Sequence, residues 1–521
     1  MIQYKKTLIV AGVGALLLGS SCTSGYEDYN RDPYGATKEQ MSRDGYSFRS
    51  AMQNLQAAII PIQPNTSQFT ECLLGGTYGG YLSDSNAGFN GKNFAQYNPE
   101  ENWSKVLFVD QISSVMINYN EVKSATQDPV PLAIALVCKV MGMHRIVDAY
   151  GPIPYTHVGA DKKIVAPYDS QEQAYDRMFA ELNEAIAVLT EHKNSVISPD
   201  ADPVYRGSVL KWLRLANSLK LRLAMRISKV APEKAKTHVE AAVNHPDGVM
   251  TTLDGLAAFT PATTNPFYVV MYQWNNGDSR VSADITSYMN GYSDPRREAM
   301  FTPSTFPAVD NGYIGLRNGV QIPGNGTEKQ YANYKLETST PVVWMNPAEV
   351  AFLRAEAKLY GWNVGGQSAK ELYEAGIKLS FEQWGVNGAD SYISNAAAEP
   401  QAHRDPVNPS FSNTGSVSSV KIAWDETGSQ EINLEQIITQ KWIANFPLGL
   451  EAWSEYRRTG YPRLMPSPVN NSTVVGARGA RRLAYPQTER TDNAQNYTVA
   501  VTTMLQGADN MATDVWWAKK N

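Results

Sequence analysis

Cysteine is scarce in this chain, with 3 residues in 521. One of them, Cys22, lies near the N-terminus, which leaves Cys72 and Cys138. Two cysteines in so long a body are too few for the disulfide framework on which small exported domains depend. Cys138 lies in the apolar run PLAIALVCKVMGM, which is typical of a buried thiol. A Cys72–Cys138 bridge is the alternative.

Catalytic and metal-binding motifs are also missing. None of the six histidines forms H-E-x-x-H or a Cys/His zinc spacing, and no G-x-S-x-G elbow occurs. A calcium loop beginning at Asp84 would need glutamate at its twelfth position, where Ala95 stands. The carboxylates are too numerous to select a glycosidase pair. We predict a protein that is not an enzyme and uses no cofactor or metal, with an exported hydrolase as an alternative.

Long basic and long apolar runs are absent as well. The net charge is −5, and no basic run exceeds pairs such as Arg457-Arg458. This balance argues against a general nucleic-acid binder. After the first 22 residues no run of eighteen apolar residues occurs, so we expect a soluble body.

The N-terminus has the pattern of an export signal. Lys5 and Lys6 precede a twelve-residue apolar run, TLIVAGVGALLL, which is too short to span a bilayer. Small residues and then Cys22 come next, although Gly19 stands where a bacterial lipobox usually has leucine. We interpret residues 1–21 as a signal peptide and Cys22 as the lipidation site, with an ordinary cleaved signal in which Cys22 occurs by chance as the alternative. The polar residues 22–45 are then a tether, and 46–521 a single domain.

Helical periodicity dominates the remaining chain in blocks. The helices are predicted in about four pairs with short links: 103–124 with 129–148, 171–192 with 208–229, 348–360 with 369–384, and 431–446 with 449–459. Pairs of this size resemble tetratricopeptide repeats. Between them lie long stretches without periodicity, which we predict as ordered loops: 62–100, 250–345 and 386–430.

One short segment combines many aromatic and basic residues: NFPLGLEAWSEYRRTGYPRL, residues 445–464. Its aromatic residues are about one helical turn apart, which favours core packing over a ligand surface. The longer run QKWIANFPLGLEAWSEYRRTGYPRL resembles the C-terminal hallmark of the SusD/RagB family, surface lipoproteins of Bacteroidetes-type bacteria. Further family motifs occur in the same order along nearly the whole mature chain: GYEDYNRDP after Cys22, VDAYGPIPY, SDPR, NPAEVAFLRAEAKLYGWN, AKELYEAGIKLSFEQWG and RRLAYP.

This resemblance implies a fold, a location and a partner. The implied fold is mainly α, with four tetratricopeptide-like helix pairs and an irregular, loop-rich half. The implied protein is lipid-anchored in the outer membrane and exposed at the cell surface. It lies as a lid on a SusC-like, TonB-dependent transporter barrel, to which it delivers an oligosaccharide or, in some members, a peptide. The quoted motifs are structural, so they carry over no ligand contacts.

Ligand contacts are therefore predicted from chemistry. Sugar rings need flat aromatic platforms and polar groups for their hydroxyls, presented on loops by a rigid scaffold. Residues 75–98 and 265–280 fit this description, and Trp274 is the preferred contact because Asn275, Asn276 and Asp278 beside it are poor core residues. The candidate ligand-binding residues are Tyr78, Tyr81, Phe89, Tyr272, Trp274, Asn276, Asp278 and Tyr292. Peptide binding and a scaffold or adhesion role remain alternatives.

Overall fold

The structure, a computed structural model, describes residues 45–159, 165–307, 309 and 312–519. The body of the protein begins at Arg49. The predicted signal peptide, the lipidation site Cys22 and the tether up to residue 44 lie outside the described residues.

Long helices account for most of the regular structure in the described part of the chain. They are α1 (Tyr46–Ala57), α2 (Val106–Ala125), α3 (Pro129–Tyr150), α4 (Gln171–Glu191), α5 (Val209–Arg226), α6 (Pro232–Val243), α7 (Ala283–Gly291), α8 (Pro347–Leu359), α9 (Ala369–Gln383), α10 (Gln430–Ala444) and α11 (Gly449–Thr459). Shorter α-helices are Pro64–Ser67, Glu101–Ser104, Pro266–Tyr268, Arg296–Met300, Ala389–Ile393, Gln487–Asp492 and Ala494–Val499. Segments with π-helical hydrogen bonding are Gln68–Gly76, Val269–Gln273 and Ala500–Leu505.

The strands are short and form two-stranded antiparallel sheets. They are β1 (Leu82–Asp84), β2 (Ala257–Phe259), β3 (Ser279–Val281), β4 (Phe301–Thr302), β5 (Asn333–Tyr334) and β6 (Val342–Met345). The pairs are β1 with β3, β2 with β6, and β4 with β5. In the first pair Leu82 lies opposite Val281 and Asp84 opposite Ser279.

The predicted mainly helical fold with paired helices is confirmed. Helix α2 packs against α3, α4 against α5, and α8 against α9. The fourth predicted pair forms two helices that diverge. Helix α10 packs against α8 and α9, whereas α11 packs against α3 and the π-helical segment Gln68–Gly76.

The predicted helix starts have the expected caps. The Ser170 hydroxyl accepts a hydrogen bond from the Gln173 amide, and the Gln173 side chain accepts one from the Ser170 amide. Ser368 and Glu371 form the same reciprocal cap on α9. The Asn346 side chain accepts from the Glu349 amide at the start of α8.

Several helical segments fall inside stretches that were predicted as loops, and the two longest are α7 and Gln68–Gly76. Helix α7 is buried at every position from Ala283 to Met289, so its sequence has no amphipathic stripe to reveal it. In Gln68–Gly76 the hydrogen bonds join residues five apart, and a search for a period of 3.6 residues misses that spacing. The prediction of loops was wrong at these two places and at the shorter helical segments within the same stretches.

Helix α3 contains Cys138 and is the one described helix that is long and apolar enough to cross a membrane. It is instead a core helix, since 94% of its apolar window is buried inside the protein. Cys72 and Cys138 are both buried and unbridged, as predicted for Cys138. Burial raises the pKa of each thiol well above its usual value.

The aromatic residues of segment 445–464 lie mostly in the core. Trp453 is 1% exposed, Phe446 2% and Tyr461 6%. Core packing is therefore confirmed for these three rings. Tyr456 is the exception, because its side chain is only half-buried.

Helix α11 is held by a buried network of ion pairs, which we call the ionic network. Glu455 contacts Arg226 at 2.5 Å, Arg458 at 2.6 Å and Lys441 at 3.1 Å. The nearby Glu451 contacts the same Arg226 at 2.5 Å. These cations hold the pKa values of both glutamates below their usual range, although burial alone would raise them.

Two bidentate pairs extend the ionic network to helix α8. Arg222 donates to both carboxylate oxygens of Glu349, each at 2.7 Å. Arg458 donates to both oxygens of Glu356, at 2.6 and 2.7 Å. The network therefore joins α5, α8, α10 and α11 through groups that are costly to bury unless paired.

We expect Glu455→Gln to lower the free energy of unfolding at pH 7 by about 3–5 kcal/mol, because it leaves buried cations without a counter-charge. Because the pKa of Glu455 is depressed in the fold, its contribution is complete above the usual glutamate pKa of about 4.3 and is lost as the pH falls further. The variant should therefore lose less stability than the wild type during acidification. Urea unfolding of the purified protein between pH 3 and 7 measures both effects.

The matched control is Glu426→Gln, which breaks the exposed 2.6 Å pair with Lys370. Exposed pairs contribute little, so this variant should unfold like the wild type. Equal destabilisation by the two substitutions would contradict the role of the ionic network.

Candidate ligand-binding surface

The preferred contact, Trp274, lies at the start of a strained turn. A 3₁₀ turn, Trp274–Asn276, comes directly after the π-helical segment Val269–Gln273. Asn275 and Asn276 adopt φ values of 51° and 57°, and Gly277 has φ 99°. Left-handed φ values are uncommon outside glycine, although asparagine tolerates them better than most residues. Backbone strain of this kind concentrates at functional sites.

Gly277 is required here for space as well as for conformation. A Cβ atom at this position would collide with the Met271 carbonyl and with the Arg280 guanidinium. The turn therefore folds tightly back on the segment that precedes it.

The buried carboxylate of Asp278 connects this turn to two other segments. It accepts hydrogen bonds from Gln68 Nε2 at 2.7 Å, Asn86 Nδ2 at 2.7 Å and Asn275 Nδ2 at 2.9 Å. The three donors come from the π-helical segment Gln68–Gly76, the residues after β1, and the turn itself. We call Asp278 with these three side chains the Asp278 hub. Asp278 is 2% exposed, so it positions the surface and offers little of its own carboxylate to a ligand.

Two cations fix the backbone of the turn. The Arg280 guanidinium donates to the Asn276 carbonyl at 2.8 Å. The Lys329 ammonium donates to the carbonyls of Gly277 at 2.6 Å and Ser85 at 2.7 Å. Burial lowers the pKa of both side chains. These bonds fix the turn in one conformation before any ligand arrives.

Aromatic side chains surround the Asp278 hub. Tyr268 and Tyr272 are half-buried and stack at 5.0 Å, just before the turn. Phe69, next to the hub residue Gln68, stacks on Trp103 at 5.5 Å. Phe89 contacts the same indole edge-on at 4.9 Å. The hub thus links Trp274 to a second group of rings.

The Trp274 indole itself has no such support. It is half-buried, and no described residue provides a hydrogen bond for its N–H or a ring to stack on it. An indole left without partners on a rigid turn is available to a flat apolar ligand face.

The structure distributes the other predicted residues unevenly. Asn276 is exposed on the turn, and Phe89 and Tyr272 are half-buried near it. Tyr81 and Tyr292 lie in the core, 0% and 1% exposed, where their hydroxyls donate to the carbonyls of Trp442 and Val420. Because they are buried, these two rings are closed to a ligand in this arrangement. The sequence could not reveal this, since aromatic content alone does not distinguish a ring that binds a ligand from one that anchors its own loop.

Tyr78 lies apart from the turn. It is 7% exposed and forms one wall of a separate cavity with Trp453 and Tyr97. Sequence reasoning missed Gln68, Phe69, Trp103, Tyr268 and Lys329 as parts of the surface. Their only signal was membership of segments rich in aromatic and amide residues.

The comparisons with known proteins agree on one family. Residues 28–518 match the family model described as SusD-like, SusD and RagB outer membrane lipoprotein. The chain belongs to the SusD-like family. No curated protein matches this chain.

Solved structures of family members align over most of this chain. A SusD homologue from Bacteroides uniformis is 46% identical, with a TM-score of 0.87 over 91% of this chain and 100% of its own. A SusD homologue from Bacteroides thetaiotaomicron is 41% identical, with a TM-score of 0.85 over 91% and 99%. A chitin-binding SusD homologue from Flavobacterium johnsoniae is 38% identical, with a TM-score of 0.86 over 91% and 99%.

A second buried carboxyl group, Asp84, lies behind the turn, and its pKa is strongly raised. It accepts hydrogen bonds from the Asn86 amide at 2.9 Å and from Asn93 Nδ2 at 3.3 Å. Burial, with a smaller contribution from the nearby Asp278, raises its pKa to about 8. The folded protein therefore holds a proton on Asp84 that the unfolded chain releases near pH 3.9.

Asp84→Asn should therefore change how stability depends on pH. In the wild type this group makes the fold less stable as the pH rises from about 4 to 8, by at most about 1.4 kcal/mol per pH unit. We expect the variant to gain stability relative to the wild type at pH 8 and much less at pH 5. Urea unfolding at the two pH values measures the difference. If the variant gained the same stability at pH 5 and at pH 8, Asp84 would already be ionised in the folded wild type.

Proposed function

We propose that this protein is a surface nutrient-binding lipoprotein that captures an oligosaccharide and delivers it to a TonB-dependent, SusC-like transporter barrel. The observation that carries the proposal is the Trp274 indole, which is half-buried, has no hydrogen-bond or stacking partner among the described residues, and is held on a rigid turn. A sugar ring has apolar faces that stack on an indole and hydroxyls that need polar partners at its edge. The exposed side-chain amide of Asn276 stands beside the indole and supplies such partners, whereas the Asn275 amide already donates to Asp278.

The polar groups near Trp274 favour a glycan over a peptide. The charged side chains of the turn are already engaged, since Asp278 accepts from three amides and Arg280 and Lys329 donate to backbone carbonyls. The groups that remain available on the turn are neutral: the half-buried Trp274 indole and the exposed Asn276 amide. A peptide terminus would need a charged partner that this turn does not offer. Chitin binding by the Flavobacterium johnsoniae relative supports the same ligand class.

Family membership and the N-terminal pattern support the location and the partner. The family model is that of outer membrane lipoproteins. The lipobox-like sequence ending at Cys22 supports lipid anchoring, with the body at the cell surface as a lid on the barrel. In this role the protein binds and releases its ligand without chemical change, and we propose no catalytic residue.

We expect Trp274→Ala to weaken glycan binding at least tenfold, roughly 1.4 kcal/mol, because it removes the stacking platform. Calorimetric titration with a panel of soluble oligosaccharides, including chitin oligomers, and of oligopeptides measures this. The matched control is Trp384→Ala, a half-buried indole at the end of α9 and away from the turn, which should bind as the wild type does.

The outcomes distinguish the alternatives. If both variants still bind the glycan as the wild type does, the proposed function would stand, but the binding site would have to lie away from Trp274. Binding of peptides alone would favour the peptide-delivery alternative. Binding of neither class by the wild type would contradict independent ligand capture.

Lipid anchoring is tested separately with Cys22→Ala in a Bacteroidetes-type host. We expect the variant to lose the lipid mass increment on the mature N-terminus and to leave the membrane fraction. Membrane retention of a variant that carries no lipid would contradict anchoring through Cys22.

A further inference from the structure

A second site lies away from the Trp274 turn. It is a cavity of about 240 Å³, bordered by Tyr78, Tyr97, Asp284, Asn318, Trp453 and Tyr456. Pockets that hold drug-sized ligands measure roughly 300–1,000 Å³, so this one suits a ligand of about one ring.

Aromatic rings form much of the wall. Tyr78 stacks on Tyr97 with centroids 6.1 Å apart, and it lies 5.0 Å from the Trp453 ring. Tyr456 adds a half-buried ring from the same helix as Trp453. The faces of such rings carry partial negative charge, which attracts cations.

A buried carboxylate borders the cavity without an ion-pair partner. Asp284 is 2% exposed and accepts hydrogen bonds from the Met465 amide at 2.7 Å and from Ser282 Oγ at 3.0 Å. No described cation lies within 4 Å of it. Burial raises the pKa of Asp284, while the hydrogen bonds from Met465, Ser282 and Asn318 favour the ionised form. Arg317 attracts the carboxylate from farther away, but that guanidinium donates to the carbonyls of Ser412 and Pro466.

Some of the other polar atoms of the cavity have no hydrogen-bond partner among the described residues. Asn318 Oδ1 is buried and has no hydrogen-bond donor among the described residues. The Asn318 Nδ2 group donates to Ser282 Oγ at 3.1 Å and faces the Thr77 carbonyl at 3.4 Å. Because the Thr77 carbonyl can only accept, the atom of the Asn318 amide that faces it must be the donor Nδ2. The other atom, Oδ1, is therefore the one without a partner. The hydroxyls of Tyr97 and Tyr456 have no described partner either.

The cavity and the Asp278 hub lie at opposite ends of the β1–β3 pair. At one end the Ser85 amide donates to the Asp278 carbonyl, and at the other the Ser282 amide donates to the Tyr81 carbonyl. Three strand residues separate these ends, which is about 10 Å. The two sites are therefore distinct.

We propose that this cavity binds a small organic ammonium of about one sugar ring, such as an amino sugar with a free amine. The unpaired groups at its border are acceptors, hydroxyls and ring faces, so the ligand they complete is one that donates hydrogen bonds and carries positive charge. A neutral sugar would leave the Asp284 carboxylate without a counter-charge. This site is additional to the proposed glycan surface and does not rest on it.

The test compares three ligands with the same ring: glucosamine, glucose and N-acetylglucosamine. Equilibrium dialysis of the purified protein at pH 7 measures binding, and the fluorescence of Trp453 and its neighbours gives a second readout. We expect glucosamine to bind at least tenfold more tightly than the other two, since only glucosamine carries an ammonium group. Equal binding of glucose, or no binding of glucosamine, would overturn the proposal.

Two variants locate the binding. Asp284→Asn should reduce glucosamine binding at least tenfold by removing the counter-charge. Asp284 also supports the start of α7, so its substitution could disturb the fold. Tyr456→Leu is therefore a second variant, because the hydroxyl that it removes has no hydrogen-bond partner among the described residues. It should weaken glucosamine binding several-fold. Tyr119→Leu, a half-buried tyrosine on α2, is the matched control and should bind normally. Unchanged binding in both cavity variants would place the ligand elsewhere and overturn the proposal.

Discussion

The burial of Glu455 among Arg226, Arg458 and Lys441 is the constraint on which the rest of the structure depends. Charges removed from water must be paired, and these are paired only when the helices that carry them meet in one arrangement. That arrangement fixes helix α11. The backbone of Gly449, its first residue, approaches Gly75 so closely that a Cβ atom on either would collide with the other chain segment.

The same close contact connects the scaffold to the ligand surface. Gly75 belongs to the π-helical segment that begins at Gln68, and Gln68 donates to the carboxylate of Asp278. Asp278 in turn holds Asn275 in the turn after Trp274. The position of one half-buried indole is thus set by a chain of contacts that begins among buried charges. The two proposed sites differ in kind. The Asp278 hub satisfies its own polar groups and displays an apolar face, whereas the cavity beside Asp284 has a carboxylate without an ion-pair partner and an amide oxygen, Asn318 Oδ1, without a donor among the described residues.

Sequence patterns predicted the scaffold well because amphipathic helices repeat every 3.6 residues and their caps use few residue types. Ser170 with Gln173 and Ser368 with Glu371 formed as expected. The candidate site was predicted only in part. The segment around Trp274 was found from its composition, but the pairing of Gln68 with Asp278 spans 210 positions and obeys no local rule. For the same reason Tyr81 and Tyr292 could not be separated from surface rings, since burial is decided by distant segments.

The π-helical segment Val269–Gln273 has a consequence for how such a surface changes over evolutionary time. Each residue added to or removed from a helix rotates the rest of that helix by about 100°. The π-helical segment directly before Trp274 can accommodate the insertion or deletion of a single residue, because its hydrogen bonds already span one residue more than those of an α-helix. The paired helices and their buried charges lie outside this segment. A lineage could therefore exchange the side chain at the tip of the turn, and with it the ligand preference of the proposed surface, while the scaffold stays the same.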